Sequence, residues 1–156
     1  MRAPTPEARL ADLGWTLPDP PKPVALYVPA RRSGELLFIS GQVPLDDGTP
    51  VATGCVPGRV SEEVAVACAK RCALSALSAA RVELGSLDKI AGVIRLGVFV
   101  ASDAGYGGQP RIANAASEVM IELFGDAGRH ARAALGCPAL PLDVPVEVEA
   151  TFQIAQ

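Results

Sequence analysis

The sequence predicts an α+β fold, with helices covering one face of a mixed sheet. Three stretches carry that prediction. From Val146 to Ile154, Val146, Val148, Ala150, Phe152 and Ile154 alternate strictly with Glu147, Glu149, Thr151 and Gln153. A period of two over that length marks a half-buried strand. From Ser61 to Leu84 the chain has a hydroxyl cap, Glu62 and Glu63 in the first turn and a glycine stop at Gly85, the punctuation of a helix. Between Val93 and Ala101 a nearly continuous apolar run, rich in β-branched residues, suits a central strand covered on both faces.

The remaining elements follow in order. Pro6 to Leu13 is a short helical segment closed by Gly14. The prolines of Leu17–Pro23 forbid helix or central strand and predict an extended arm on the surface. Residues 1–23 are therefore taken as an N-terminal arm and 24–156 as one domain. Val24–Val28 and Glu35–Ser40 are expected as strands, joined by a hairpin loop over Pro29–Gly34 that exposes Arg31 and Arg32. Pro44, Pro50 and Pro57 with Gly48, Gly54 and Gly58 make residues 43–59 an irregular crossover. In the long helix Leu74, Leu77, Arg81 and Leu84 fall at helical spacing, and small residues elsewhere let it lie close on a sheet. Cys68 and Cys72 share one face of it, as packing thiols. Residues 102–109 form a flexible loop, and Pro110 opens a second helix reaching Phe124, with Ile112, Ala116, Val119 and Leu123 as its apolar stripe.

The last stretch, Arg129–Pro141, is extended and joins the final strand through a turn set by Pro138, Pro141 and Pro145. Paired as a hairpin, the two would bring Arg132 beside Glu147 and Glu149. That is open to two readings: an anion-binding pocket with an acid/base group beside it, or a structural salt bridge. The element order, β-β-α-β-α-β-β, leaves one sheet face without helices, so a homo-oligomer is expected to cover it.

Composition agrees. The chain of 156 residues is 49% hydrophobic, 20% charged and 4% aromatic, with a mean hydropathy of +0.28. Such apolar content in a small domain favours a subunit interface. A net charge of −3 without a basic stripe argues against a nucleic-acid surface. One histidine and four dispersed cysteines leave little from which to build a metal site. The N-terminus carries no apolar signal region and no run reaches membrane-spanning length, so a cytoplasmic location is expected.

Several pieces together now resemble the RidA/YjgF family of reactive-intermediate deaminases, also called the endoribonuclease L-PSP family. They are Tyr27, Phe38–Pro44 with Ser40-Gly41-Gln42 inside it, Val98–Val100, Asn114, Ala131-Arg132, Leu140-Pro141 and Val146–Ala150. The resemblance spans residues 24–154. It implies a chorismate-mutase-like fold assembled as a homotrimeric barrel, with ligand clefts between subunits. It further implies hydrolysis of 2-imino or enamino acids to 2-keto acids and ammonia, with no cofactor or metal. Carried over residue by residue, Arg132 would bind the substrate carboxylate and Glu147 would position the attacking water. Tyr27, Ser40, Gly41 and Asn114 would line the cleft. Alternatives are a non-catalytic trimer binding small carboxylates, as sensor or chaperone, and an endoribonuclease, which an acidic chain with one histidine supports poorly. A chorismate mutase of the same fold would need a second arginine, which the sequence does not obviously place. The sequence also departs from the family: Ala134 stands where many members have a cysteine two residues after the arginine. Cys137 does not inherit that role, and His130 is expected as a surface or interface residue.

Overall fold

The computed structural model of the protein describes residues 4–20, 22 and 25–155. Its elements are α1 (Pro6–Asp12), β1 (Ala30–Ser33), β2 (Leu36–Gln42), β3 (Leu45–Asp46), β4 (Thr49–Pro50), α2 (Glu62–Leu84), β5 (Ile90–Ala101), α3 (Gln109–Phe124), β6 (Ala131–Cys137) and β7 (Val146–Ile154). The local signals act as their chemistry dictates. At the start of α2 the Val64 N–H donates to Ser61 Oγ at 3.3 Å. At its end Gly85, at φ 82°, donates its N–H to the Arg81 carbonyl at 2.7 Å. That left-handed conformation is open to glycine without steric cost.

Five strands form one sheet in the order β1-β2-β7-β5-β6. β5 and β6 run parallel, and every other neighbouring pair is antiparallel. α2 and α3 lie on one face, over Leu37, Leu96, Val98, Val148 and Phe152, all fully buried. Cys68 and Cys72 are buried in the same layer as free thiols. Among the described residues no helix is long and apolar enough to cross a membrane.

Four expectations need correction. The last two extended segments are not a hairpin: β5 lies between β6 and β7. β5-α3-β6 is a parallel unit with a helical crossover, and β7 has both edges occupied, by β2 and β5. The link of residues 138–145 passes over β5, turning through Leu142 and Asp143 at φ 58° and 57°. Strand neighbours lie about 5 Å apart, so eight residues cross two of them easily.

The first strand begins at Ala30, not near residue 24. Residues 25–27 are bends, and Arg31 and Arg32 sit in the strand itself, paired with Phe38 and Leu37. Val24 lies outside the described residues. β5 is central in the sheet but covered on one face only: Ile94 and Arg95 are exposed. The arm, finally, is more than a surface strap. Leu10 and Leu17 are buried in the core, Glu7 accepts from the Leu87 N–H, and Ser78 Oγ donates to the Pro18 carbonyl. α1 packs against α3, so it leaves the open sheet face uncovered.

That open face is apolar in part. Register places Phe38, Thr151, Glu149, Gly97, Glu147, Phe99 and Leu135 on it. Phe38 is 45% and Leu135 53% exposed.

Candidate active site

Arg132 stands on the edge strand β6. Its register partner is Leu96, opposite Ala150, so its side chain belongs to the helix-covered face. There α3 receives it. Arg132 Nη1 donates to Asn114 Oδ1 and to Ser117 Oγ, each at 3.0 Å, and Nη2 donates to the Pro110 carbonyl at 3.4 Å. Both Nη1 protons are thereby committed. Among the described residues Nε makes no hydrogen bond, which leaves the Nε–Nη2 edge for an incoming carboxylate. That edge offers the two parallel donors of a bidentate clamp. The sequence pairs Asn114 with the site; Ser117 it does not, although the two lie three residues apart on α3 and so share a face.

Glu147 is on β7, opposite Phe99, and register puts it on the other face of the sheet. The two candidate residues therefore cannot converge within one chain, and neither Glu147 nor Glu149 pairs with Arg132. Glu149 is held instead by Arg95, Nη1 to Oε1 at 2.8 Å. Glu147 lies across Gly41, where a Cβ would overlap its carboxylate. The β2 strand is irregular between Ile39 and Gln42, so Gly41 lets two groups approach where any side chain would block them. Ser40 secures the same bulge, donating its hydroxyl to the Val28 carbonyl at 2.7 Å. Tyr27 lies just upstream, on an exposed bend. Ser40, Gly41 and Glu147 thus form one cluster, and Arg132 and Asn114 another. A groove of about 490 Å³ between the arm and helices α2 and α3, walled by Trp15, Lys70 and Val119, includes none of them.

Burial raises the Glu147 pKa above the ordinary carboxylate value, and the charge of Glu149 adds to it. A raised folded-state pKa means the folded chain holds this proton more tightly than the unfolded one. The associated stability is fully present below the unfolded pKa and lost as pH rises through the folded value. Glu147→Gln should therefore gain thermal stability over wild type only as pH rises above the usual carboxylate range. Melting curves from acid to neutral pH check this; a gap independent of pH would contradict it.

The loop after β5 is tied down, not free. Arg111 clamps Glu62 with two hydrogen bonds, at 2.7 and 2.9 Å, and Tyr106 donates its hydroxyl to Glu62 at 2.6 Å. Arg111 first, then Tyr106, lowers the Glu62 pKa to about 2. Burial and the Glu62 bond push Tyr106 up to about 12. A lowered carboxylate pKa stabilises above the unfolded value and fails as pH falls through the folded one, so this clamp opens only near pH 2. Arg111→Ala should raise amide exchange across residues 102–108 at neutral pH, with β7 unaffected. Unchanged exchange would show the loop is held by other contacts.

Comparison with known proteins decides the family. The family model described as Endoribonuclease L-PSP matches residues 18–154. This chain belongs to that family, also called RidA/YjgF. It is 38% identical to the Trypanosoma cruzi protein TCP17 over 152 residues, covering 94% of this chain and 92% of the relative. It is 30% identical to the RutC family protein PH0854 of Pyrococcus horikoshii over 131 residues, covering 83% and 88%. Among solved structures, the Agrobacterium tumefaciens protein Atu1372 superposes with a TM-score of 0.88 at 40% identity, over 96% of this chain and 92% of that one. The mixed sheet backed by helices is the fold of RidA/YjgF structures. Family names include both RidA and endoribonuclease, so membership supports the general family function.

Proposed function

We propose that this RidA/YjgF protein hydrolyses 2-imino and enamino acids to 2-keto acids and ammonia, without a cofactor, in clefts between copies of the chain. The observation that carries the reading is the placement of the two clusters on opposite faces of one sheet. A helix-side arginine whose Nε has no partner among the described residues, and an open-face glutamate with a raised pKa, make two halves of one site. A neighbouring subunit supplies the missing half. The open face, with Phe38 and Leu135 exposed beside Glu147, is the surface a neighbour would cover, and a homotrimer is the assembly the family resemblance implies.

In such a cleft Arg132 holds the substrate carboxylate, which fixes the adjacent C=N carbon. Glu147, with Gly41 and Ser40 beside it, takes a proton from water as the oxygen adds to that carbon. Glu147 passes that proton to the imine nitrogen, which completes a tetrahedral carbinolamine. It then takes the carbinolamine hydroxyl proton and delivers it to the nitrogen as the carbonyl forms and the C–N bond breaks, releasing ammonia. Water and imino acid become keto acid and ammonia, with no redox change. A carboxylate whose pKa is raised towards the working pH suits both transfers. An imine is already electrophilic, so positioning does most of what is needed.

The test is ammonia release from freshly generated 2-iminopropanoate and 2-iminobutanoate by the intact protein. Acceleration over the uncatalysed rate is expected. A folded protein that binds 2-keto acids but does not accelerate hydrolysis would replace this reading with that of a small-carboxylate-binding module.

A further inference from the structure

From the geometry behind Arg132 we infer that Ser117 and His130 form a directed hydrogen-bond chain that fixes the guanidinium for ligand binding; the inference rests on the role proposed above for Arg132. The chain starts at a backbone carbonyl. His130 Nδ1 lies 2.6 Å from the Gly128 oxygen, and a carbonyl only accepts, so Nδ1 carries the proton. In the neutral ring Nε2 is then the acceptor. Its partner is Ser117 Oγ, at 2.9 Å, which must donate its one hydroxyl hydrogen there. The serine oxygen is left with lone pairs only, and it accepts from Arg132 Nη1 at 3.0 Å. Every direction along Arg132, Ser117, His130 and Gly128 is thus set by the carbonyl at its end.

The anchor itself is closely packed. A Cβ at Gly128 would overlap the backbone of Met120 and Ile121, so this glycine sits hard against α3. His130 and Ser117 are both half-buried, which shields the chain from competing water. Asn114 holds the other Nη1 proton. Together the two contacts restrain rotation of the planar guanidinium about Cδ–Nε and so fix the direction of its Nε–Nη2 edge. Ser117 and His130 are positioning residues; neither needs to touch substrate.

The chain's single histidine makes the test unambiguous. Nitrogen-15 spectra of the imidazole in the unliganded protein should show the Nδ1–H tautomer, and Ser117→Ala should shift the Nε2 resonance towards that of an unbonded ring nitrogen. Affinity for 2-oxobutanoate, the keto acid of the proposed reaction, should fall about tenfold in Ser117→Ala, the size of one hydrogen bond to a charged group. Ser117→Thr, which keeps the hydroxyl, should restore most of it, and His130→Phe should resemble the alanine variant. An Nε2–H tautomer overturns the inference. So does wild-type affinity in a folded Ser117→Ala protein when Arg132→Ala binds far more weakly. If Arg132→Ala binds as wild type, or wild type does not bind, the deaminase reading fails instead, and the tautomer, measured without ligand, still judges the chain.

Discussion

Turnover of 2-iminobutanoate by Arg132→Ala should fall by at least about 100-fold in kcat/KM, the loss of a bidentate, charge-assisted carboxylate clamp. The fold should survive it. Arg132 is only half-buried at an edge strand; of the groups it leaves, Asn114 and Pro110 are exposed, where water can replace it, and Ser117 Oγ keeps its bond to His130. Melting temperature should therefore change little while activity collapses. Arg132→Lys is the sharper comparison. One ammonium cannot reach Asn114, Ser117 and the Pro110 carbonyl and also present two parallel donors, so the lysine variant should recover little of the loss. Recovery to near the wild-type rate would mean that charge alone matters here, and that the guanidinium geometry described above has no catalytic consequence.

How much of this was legible in the sequence depends on the range of the interactions involved. α2 was readable end to end, because Ser61, the paired glutamates and Gly85 are local devices that act within a turn. β7 was equally plain, because alternation is a property of one strand, and its buried face is the one the pattern names. Strand pairing is different. Successive strands usually neighbour each other, and that expectation suggested a β6–β7 hairpin. The α3 crossover makes β6 a parallel partner of β5 instead, and a crossover's destination is not written in either strand. The site inherits the error. Arg132 and Glu147 were each candidates by type and motif, but which face each occupies follows from register alone. Ser117 and His130 were missed because a serine at helical spacing from an asparagine, and a histidine two residues before an arginine, carry no signal until the backbone folds Gly128 beneath α3.

Opposite faces make a strong demand on the assembled protein, and mixed oligomers should meet it. Arg132→Ala and Glu147→Gln, each nearly inactive alone, are expected to regain activity when unfolded together in equal amounts and refolded. If each cleft draws its arginine from one subunit and its glutamate from the next, a cleft is intact only when both donors are the right variant. Random mixing gives one half times one half, about a quarter of the wild-type rate, in any closed ring of this kind. The sheet register is what forces this arithmetic, since Arg132 aligns with Leu96 and Glu147 with Phe99, three residues apart on β5 and therefore on alternate faces. A site built within one chain would give no recovery, because every subunit would lack one group. Native mass spectrometry must show that mixed species formed; if they did and activity stayed at the sum of the parents, the inter-subunit cleft would be wrong. Joining both substitutions in a single chain and mixing it with wild type provides the converse. Clefts with both groups present again fall to about a quarter when the site is shared, but only to about half when each chain carries its own.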